Sequence, residues 1–371
     1  FHELSLEAGA RFSDYSSVGG LFNYKLGAQW SPIPWIKLRG IYNKAARAPS
    51  IVELFQNGDQ GFPGYSDPCN QTSTRFGTAN PNTALINQCL AQGVPAVNLP
   101  GFAQVNTQVE AFAFGNTNLS EETAKTWTVG AVLTPNLGLG RFSATIDYYN
   151  IRIDDIINVQ GAGFFINQCY FNFDATACAN VVRDPATGQI DFINTSITNA
   201  GTYKSSGVDG SLNFVVPFAD LGIGIPGRLR VQELISWLDV VDFGGGNFAG
   251  GSGTGIGGSF PEWKSTLTVA YDSSDFTAQV RWNYQSSLED AAFCNIGDDC
   301  APKVPALSYF DLSLRKRIGS NLELTGIVQN LFDAKARKTV GGFFNEGGTD
   351  VSYFNPIILG RTFTVAAKVK M

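Results

Sequence analysis

The stretch Thr123-Ala124-Lys125-Thr126-Trp127-Thr128-Val129-Gly130-Ala131-Val132-Leu133 decides the fold. Trp127, Val129, Ala131 and Leu133 fall on one side of an extended chain and Thr126, Thr128 and Gly130 on the other. This is the two-residue period of a strand with one apolar and one polar face. Phe22, Tyr24, Leu26, Ala28 and Trp30 alternate in the same way with Asn23, Lys25, Gly27 and Gln29. So do Phe276, Ala278, Val280, Trp282 and Tyr284 with Thr277, Gln279, Arg281 and Asn283. Extended along the chain, the pattern predicts twelve strands, near 2–14, 20–31, 35–46, 122–134, 140–152, 200–216, 227–239, 261–272, 275–287, 306–318, 321–332 and 355–371. Most are 11 to 17 residues long. A globular strand has about five or six, and strands of the greater length reach across a bilayer when tilted.

Composition points the same way. Of 371 residues 44% are hydrophobic, too many for a disordered chain, and only 16% are charged. Soluble domains carry roughly 25% charge, so something other than water faces much of this surface. The 41 Gly, 28 Phe, 12 Tyr and 6 Trp are rich for a soluble protein. No run approaches the roughly 20 apolar residues of a membrane-spanning helix. A membrane chain without such helices has to satisfy its backbone in a closed antiparallel barrel. The net charge of −6 has the wrong sign for a nucleic-acid partner, which calls for basic patches. Phe1 to Tyr15 reads as a strand with no leader before it, so a larger N-terminal portion is expected to precede it, with a cleaved signal peptide as the alternative.

The connections form a second pattern. Ser31 to Pro34, Pro135 to Gly140, Pro217 to Gly227, Asp272 to Asp275 and Ile318 to Asn321 are short, while 47–121, 153–199, 239–260, 288–305 and 333–354 are long. Outer-membrane barrels have tight periplasmic turns and long extracellular loops. By this parity the long segments are extracellular and Met371 is periplasmic.

Cys69, Cys89, Cys169, Cys178, Cys294 and Cys300 lie two apiece in three of the long connections. Fifteen pairings are open, and loop membership favours Cys69–Cys89, Cys169–Cys178 and Cys294–Cys300 as local disulfides of an oxidising compartment. No zinc-type spacing exists, and His2 is the only histidine, so neither a metal centre nor a catalytic triad is expected; the chain is read as no enzyme and without cofactor. Asp154-Asp155 and Asp298-Asp299 are read as solvated loop charge before a calcium site. Gly253 to Gly258 matches G-x-G-x-x-G but precedes no helix, and is read as a flexible loop. Phe62, Tyr65, Phe164, Phe165 and Tyr170 are candidate ligand contacts, with membrane-interface girdle residues as the alternative for aromatics next to strand ends.

Several stretches resemble TonB-dependent receptors, especially the group found in sphingomonad-like and related Gram-negative bacteria. Arg47-Ala48-Pro49-Ser50 before Glu53-Leu54-Phe55 is similar to that family's F-R-A-P-x-x-x-E-L-F, with Ala46 in place of the first Phe. Asn118 to Ala124 resembles N-L-x-P-E-x-A/S, with Glu121 in place of Pro, and Asp147 to Asp155 resembles D-Y-Y-x-I-x-I-x-D/N. Most specific are Asn330-Leu331-Phe332-Asp333, similar to the N-L-F-D before the last long loop, and Gly360-Arg361-Thr362-Phe363 opening the terminal strand. The chain ends in Met371 where such barrels usually end in an aromatic residue.

The resemblance implies a barrel of about 22 strands filled by a plug. It also implies outer-membrane import of a small nutrient ligand, energised by the TonB complex through an N-terminal TonB-contacting segment. Twelve strands that did not close would leave two long edges, so the chain is expected to be the C-terminal part of such a barrel. The alternative is a complete twelve-stranded barrel acting as passive pore, adhesin or autotransporter translocator; a soluble surface-layer protein is the third class. Connections 47–121 and 153–199 are rich in Asn, Gln and aromatic residues, and Arg47, Arg75 and Arg183 are their few basic ones. Anionic ferric chelates call for arginine, and neutral polyols for amides and stacked rings. The expectation is therefore a neutral, carbohydrate-like ligand, with a siderophore as the alternative.

Overall fold

A computed structural model describes residues 2–70, 83–244, 246–253, 258–290, 303–336, 339–340, 349–350 and 357–370. Twelve long strands form one antiparallel sheet. They are β1 (Glu3–Tyr15), β2 (Gly19–Ile33), β3 (Ile36–Arg47), β4 (Glu122–Leu133), β5 (Arg141–Asp154) and β6 (Thr202–Pro217). There follow β7 (Arg228–Asp242), β8 (Trp263–Asp272), β9 (Phe276–Gln285), β10 (Leu307–Ile318), β11 (Leu322–Gln329) and β12 (Thr362–Val369). Each strand pairs with its neighbours in this sequence order; β1 and β12 are the edges, and no pairing joins them among the described residues. Among the described residues no helix is long and apolar enough to cross a membrane, which says nothing of strands.

The register keeps the two faces separate across the whole sheet. Leu26 pairs with Tyr42, Tyr42 with Trp127, Val129 with Tyr148 and Tyr148 with Val208, all on the apolar face. This continues through Val231, Val269, Val280 and Leu312 to Val328 and Phe363. Little protein covers these side chains: Leu6 is 75% exposed, Phe12 69% and Val365 85%. A one-residue slip in any strand would interchange the faces, so the apolar pattern itself fixes the register.

Arg39 and Asp147 meet on the polar face across an intervening strand. Both flank Gly130 in register, and the guanidinium donates to the carboxylate at 2.7 and 2.5 Å over the glycine. A Cβ there would run into Asp147 Oδ1 and lie 2.5 Å from the Ile146 carbonyl oxygen. Gly130→Ala is therefore expected to break the pair and cost about 1–3 kcal/mol. The check is the temperature at which the folded gel species converts to the unfolded one; an unchanged temperature refutes it.

Two strand ends differ from expectation. The run read as 321–332 stops at Gln329, because Asn330 turns into the left-handed region (φ 51°) and Asp333 follows (φ 54°). The strand read as 355–371 begins only at Thr362. Apolar Ile357 to Leu359 look strand-like in sequence, yet they form a turn closed by the Gly360 N–H to the Ile357 carbonyl, with Gly360 at φ 69°.

Candidate functional site

The hydrophobic core lies away from the twelve-stranded sheet. Segments 47–121 and 153–199, read from sequence as loops, fold onto one another. The first contributes helices α1 (Ile51–Phe55) and α2 (Thr83–Ala91) and strands Asn57–Gly61 and Glu110–Phe114. The second contributes helices α3 (Ala162–Phe171) and α4 (Ala175–Cys178) and strands Ile157–Val159, Val181–Arg183 and Ile190–Asn199. Glu110–Phe114 pairs in parallel with Ile190–Asn199, so a strand of each connection completes one small mixed sheet. Leu85, Val94 and Phe102 from the first pack with Phe165, Ile166, Tyr170 and Ile193 from the second. In α3 the buried positions 162, 165, 166, 169 and 170 make a helical stripe, which three- and four-residue spacing could have revealed.

Arg183 and Asp67 join the two connections at the centre of this unit, with side chains 1% and 0% exposed. The guanidinium donates to both Asp67 oxygens at 2.8 and 2.7 Å, to the Gly188 carbonyl at 2.5 Å and to the Tyr170 hydroxyl at 2.8 Å. It also lies over the Tyr170 and Phe102 rings. Burial works against the charge of Arg183, but its hydrogen bonds to Asp67 and the neighbouring charges outweigh that and hold its pKa above the ordinary value. Burial raises the Tyr170 phenol as well. Two disulfides, Cys69–Cys89 and Cys169–Cys178, are closed as the loop reading expected. Cys294 and Cys300 lie outside the described residues.

Of the five aromatic candidates, Phe165 and Tyr170 are core residues, 5% and 0% exposed, because α3 turns that side onto the small sheet. They hold the unit together and offer no face to a ligand. Phe62 and Phe164 are exposed, and Tyr65 is half-buried. Tyr65 borders a cleft of about 770 Å³ with Ser66, Asp67, Thr107, Asn167 and Phe171 among its lining. Burial, with the Asp67 charge adding, pushes its phenol up to about 12. The side chains of Ser66, Thr107 and Asn167 make no hydrogen bond among the described residues, so the rim of the cleft presents hydroxyl and amide groups. Among the described residues it presents no open cation: Arg183 is enclosed and Arg47 is bonded to Glu53 and Glu122, while Arg75 lies outside the described residues. Asp154, read as loop charge, lies in β5 between Arg152 and Lys125. In the G-x-G-x-x-G stretch, Gly251–Gly253 and Gly258–Ser259 are short paired strands and correct the loop reading there; 254–257 lie outside the described residues.

The stretches around Arg47 to Phe55, Asn330 to Asp333 and Gly360 to Phe363 are clasps at the long-connection end of the sheet. Ser50 caps α1 reciprocally with Glu53, Pro49 precedes it, and Arg47 ties Glu53 to Glu122 at the start of β4. The Arg47 bond holds the Glu53 carboxyl below its usual range. Asn330 is 1% exposed; its amide donates to the Ala334 carbonyl and accepts the Ala334 N–H, while its own N–H reaches Asp311. Asp333 accepts the Arg361 N–H next to Gly360, and the Arg361 guanidinium donates to the Leu331 carbonyl. Phe332 packs edge-on against Phe310. These motifs thus fix how the chain leaves β11 and returns in β12.

The family profile described as "TonB dependent receptor-like, beta-barrel" matches residues 1–331. No curated protein matches significantly. Among solved structures, the ferric enterobactin receptor PfeA of Pseudomonas aeruginosa, in complex with enterobactin, is 14% identical with a TM-score of 0.62; the alignment covers 100% of this chain and 43% of that one. The siderophore receptor PirA of Acinetobacter baumannii is 13% identical with a TM-score of 0.59, covering 99% and 43%. The FrpB iron transporter of Neisseria meningitidis is 13% identical with a TM-score of 0.51, covering 100% and 42%. This chain therefore spans less than half the length of these structures, and at such identity they bear on its fold alone. With nearly nine-tenths of its length inside the profile, the chain belongs to the TonB-dependent receptor β-barrel family.

Proposed function

We propose that the protein imports a small neutral, polar ligand across the outer membrane, with energy delivered through TonB by segments outside these 371 residues. Family membership supports transport over a passive pore or adhesin. The observation that carries the ligand class is the cleft beside Tyr65, whose rim among the described residues is hydroxyl, amide and ring with no open cation. Recognition of an anionic chelate would call for exposed arginine. In this reading the long connections face outward, the short turns and Met371 face the periplasm, and the apolar face meets lipid.

Growth of a strain lacking the full-length gene tests this. A defect on neutral oligosaccharides with normal growth under iron limitation is expected; a defect confined to iron limitation would establish a siderophore instead. Because the two longest connections share one core, removing both together should abolish uptake and leave insertion intact, whereas removing one exposes half a core.

Lipid contact makes one residue of the apolar face unusual. Glu233 pairs with Leu267 halfway between the Leu229–Tyr271 and Trp237–Trp263 pairs, and among the described residues its carboxylate accepts one hydrogen bond, from the Ser265 hydroxyl at 2.5 Å. A carboxyl at that depth costs stability, so Glu233→Leu is expected to stabilise the inserted barrel by about 1–2 kcal/mol. Urea unfolding in lipid vesicles measures this; an unchanged or lowered midpoint would place the face outside the hydrocarbon.

A further inference from the structure

Beyond its aromatic residues, the apolar face ends at the long-connection side in a row of cations. Lys44 on β3 pairs in register with Lys125 on β4, Lys125 with Arg152 on β5, and Arg152 with Lys204 on β6. Strand parity places all four on the face that carries Tyr42, Trp127 and Tyr148. Tyr42 and Trp127 stand two residues nearer the short-turn end, directly below Lys44 and Lys125, and the Trp127 and Tyr148 rings are 5.1 Å apart.

Like charges directly opposite in a sheet repel, and four in succession weaken it unless an anion sits among them. The protein supplies part of that charge. Asp154 lies 2.7 Å from Arg152 and 3.6 Å from Lys125, Asp242 lies 3.2 Å from Lys204, and Asp239 at that end accepts the Ser206 hydroxyl. Lys44 has no ion pair among the described residues. The Asp154 and Asp242 side chains are recessed, 23% and 17% exposed, whereas Lys125, Arg152 and Lys204 are 51%, 52% and 46% exposed. The cationic tips therefore stand out beyond the carboxylates that partly balance them. At the short-turn end the same face carries Lys316, paired with Asp275.

We propose that this row binds the anionic headgroup, phosphate- or carboxylate-bearing, of a lipid in the leaflet on the long-connection side. The inference rests on the reading that the apolar face meets lipid. An aromatic belt followed by cations is the order of groups at a membrane interface, where long basic side chains reach up to the headgroups. Val129 and Val208 flank Tyr148 in register, and Ala131 and Ile146 one pair below continue the same face toward the acyl chains. Binding is thus two-part, with charge above and apolar surface below. A free anion in water would gain only the first part, from cations that are half-exposed and screened.

The test uses full-length protein reconstituted with phosphatidylcholine and phosphatidylglycerol, reading by native mass spectrometry which lipid is retained. Lys44→Gln with Lys125→Gln is the informative pair, because Arg152 and Lys204 keep their carboxylate partners. Enrichment of phosphatidylglycerol is expected to fall about 25-fold in the double variant, near fivefold per cation. It should not change in Lys316→Gln, and inorganic phosphate should not displace the lipid. Equal enrichment in the double variant overturns the proposal, as does displacement by inorganic phosphate, which would mean a site for free anions. Quenching by brominated acyl chains, compared between the wild type and Trp127→Phe, separates the two levels. If Trp127 is quenched while enrichment ignores the substitutions, the lipid site fails alone; if Trp127 is not quenched, the lipid-facing reading fails and takes the site with it.

Discussion

Replacing Arg183 with methionine should destabilise the unit built from the two longest connections by about 3–5 kcal/mol, leaving the twelve-stranded sheet in place. The substitution strands Asp67, whose side chain is fully enclosed, without the two donors that now satisfy its oxygens. It also leaves the buried Gly188 carbonyl and Tyr170 hydroxyl without the donor they now have. Most of the loss is the cost of an unpaired buried charge and not the net worth of the pair. Arg183→Met combined with Asp67→Leu is accordingly expected to recover more than half of it. Limited proteolysis of the inserted protein reads the outcome, with cleavage rising within 47–121 and 153–199 in the single variant and falling back in the double. Unchanged protease resistance in Arg183→Met would show that the pair does not hold the unit.

Opening the disulfides should act on the same unit through the unfolded chain. Cys69–Cys89 closes a separation of 20 residues and Cys169–Cys178 one of 9. Chain-entropy arguments give about 3 kcal/mol for the first and about 2.5 kcal/mol for the second. Cys69→Ser with Cys89→Ser is expected to have the larger effect, because it also loosens α2 from the stretch that delivers Asp67 to Arg183, where the Asp67 carboxylate accepts the Cys69 N–H. Hydrogen exchange on α2 and α3 in the inserted protein measures it. Exchange as slow in the serine variants as in the wild type would rule the crosslinks out as a source of stability.

Sequence was most informative where structure is local. The alternation at Trp127 to Leu133 needs no distant partner to be read, since a strand with one apolar and one polar side shows its surroundings in every second residue. The clasps were legible as motifs without their mechanism. That Asn330 ends β11 in a left-handed turn, and that Asp333 receives the Arg361 N–H 28 residues on, could not be seen in the letters. The apolar Ile357 to Leu359 misled for the same reason: a turn set by Gly360 and Asp333 overrides a local preference for strand.

The long connections show the other limit. Their Asn, Gln and aromatic content read as loops with stacking rings, and the loop membership of four cysteines was enough for two disulfides. What turns those segments into a folded unit is pairing across about 80 residues of sequence, of Glu110–Phe114 with Ile190–Asn199, and an ion pair between residues 116 apart. Neither leaves a periodic trace. The number and direction of the strands of the large sheet, their two faces and the short-long order of turns were therefore determined by sequence alone, because each repeats every two residues or every hairpin. Only the tertiary structure decided that Phe165, Tyr170 and Arg183 are buried in the core of that unit, and that four cations from four strands form one row. Burial and cross-strand neighbourhood are properties of the assembled register, in which residues far apart in the chain become adjacent.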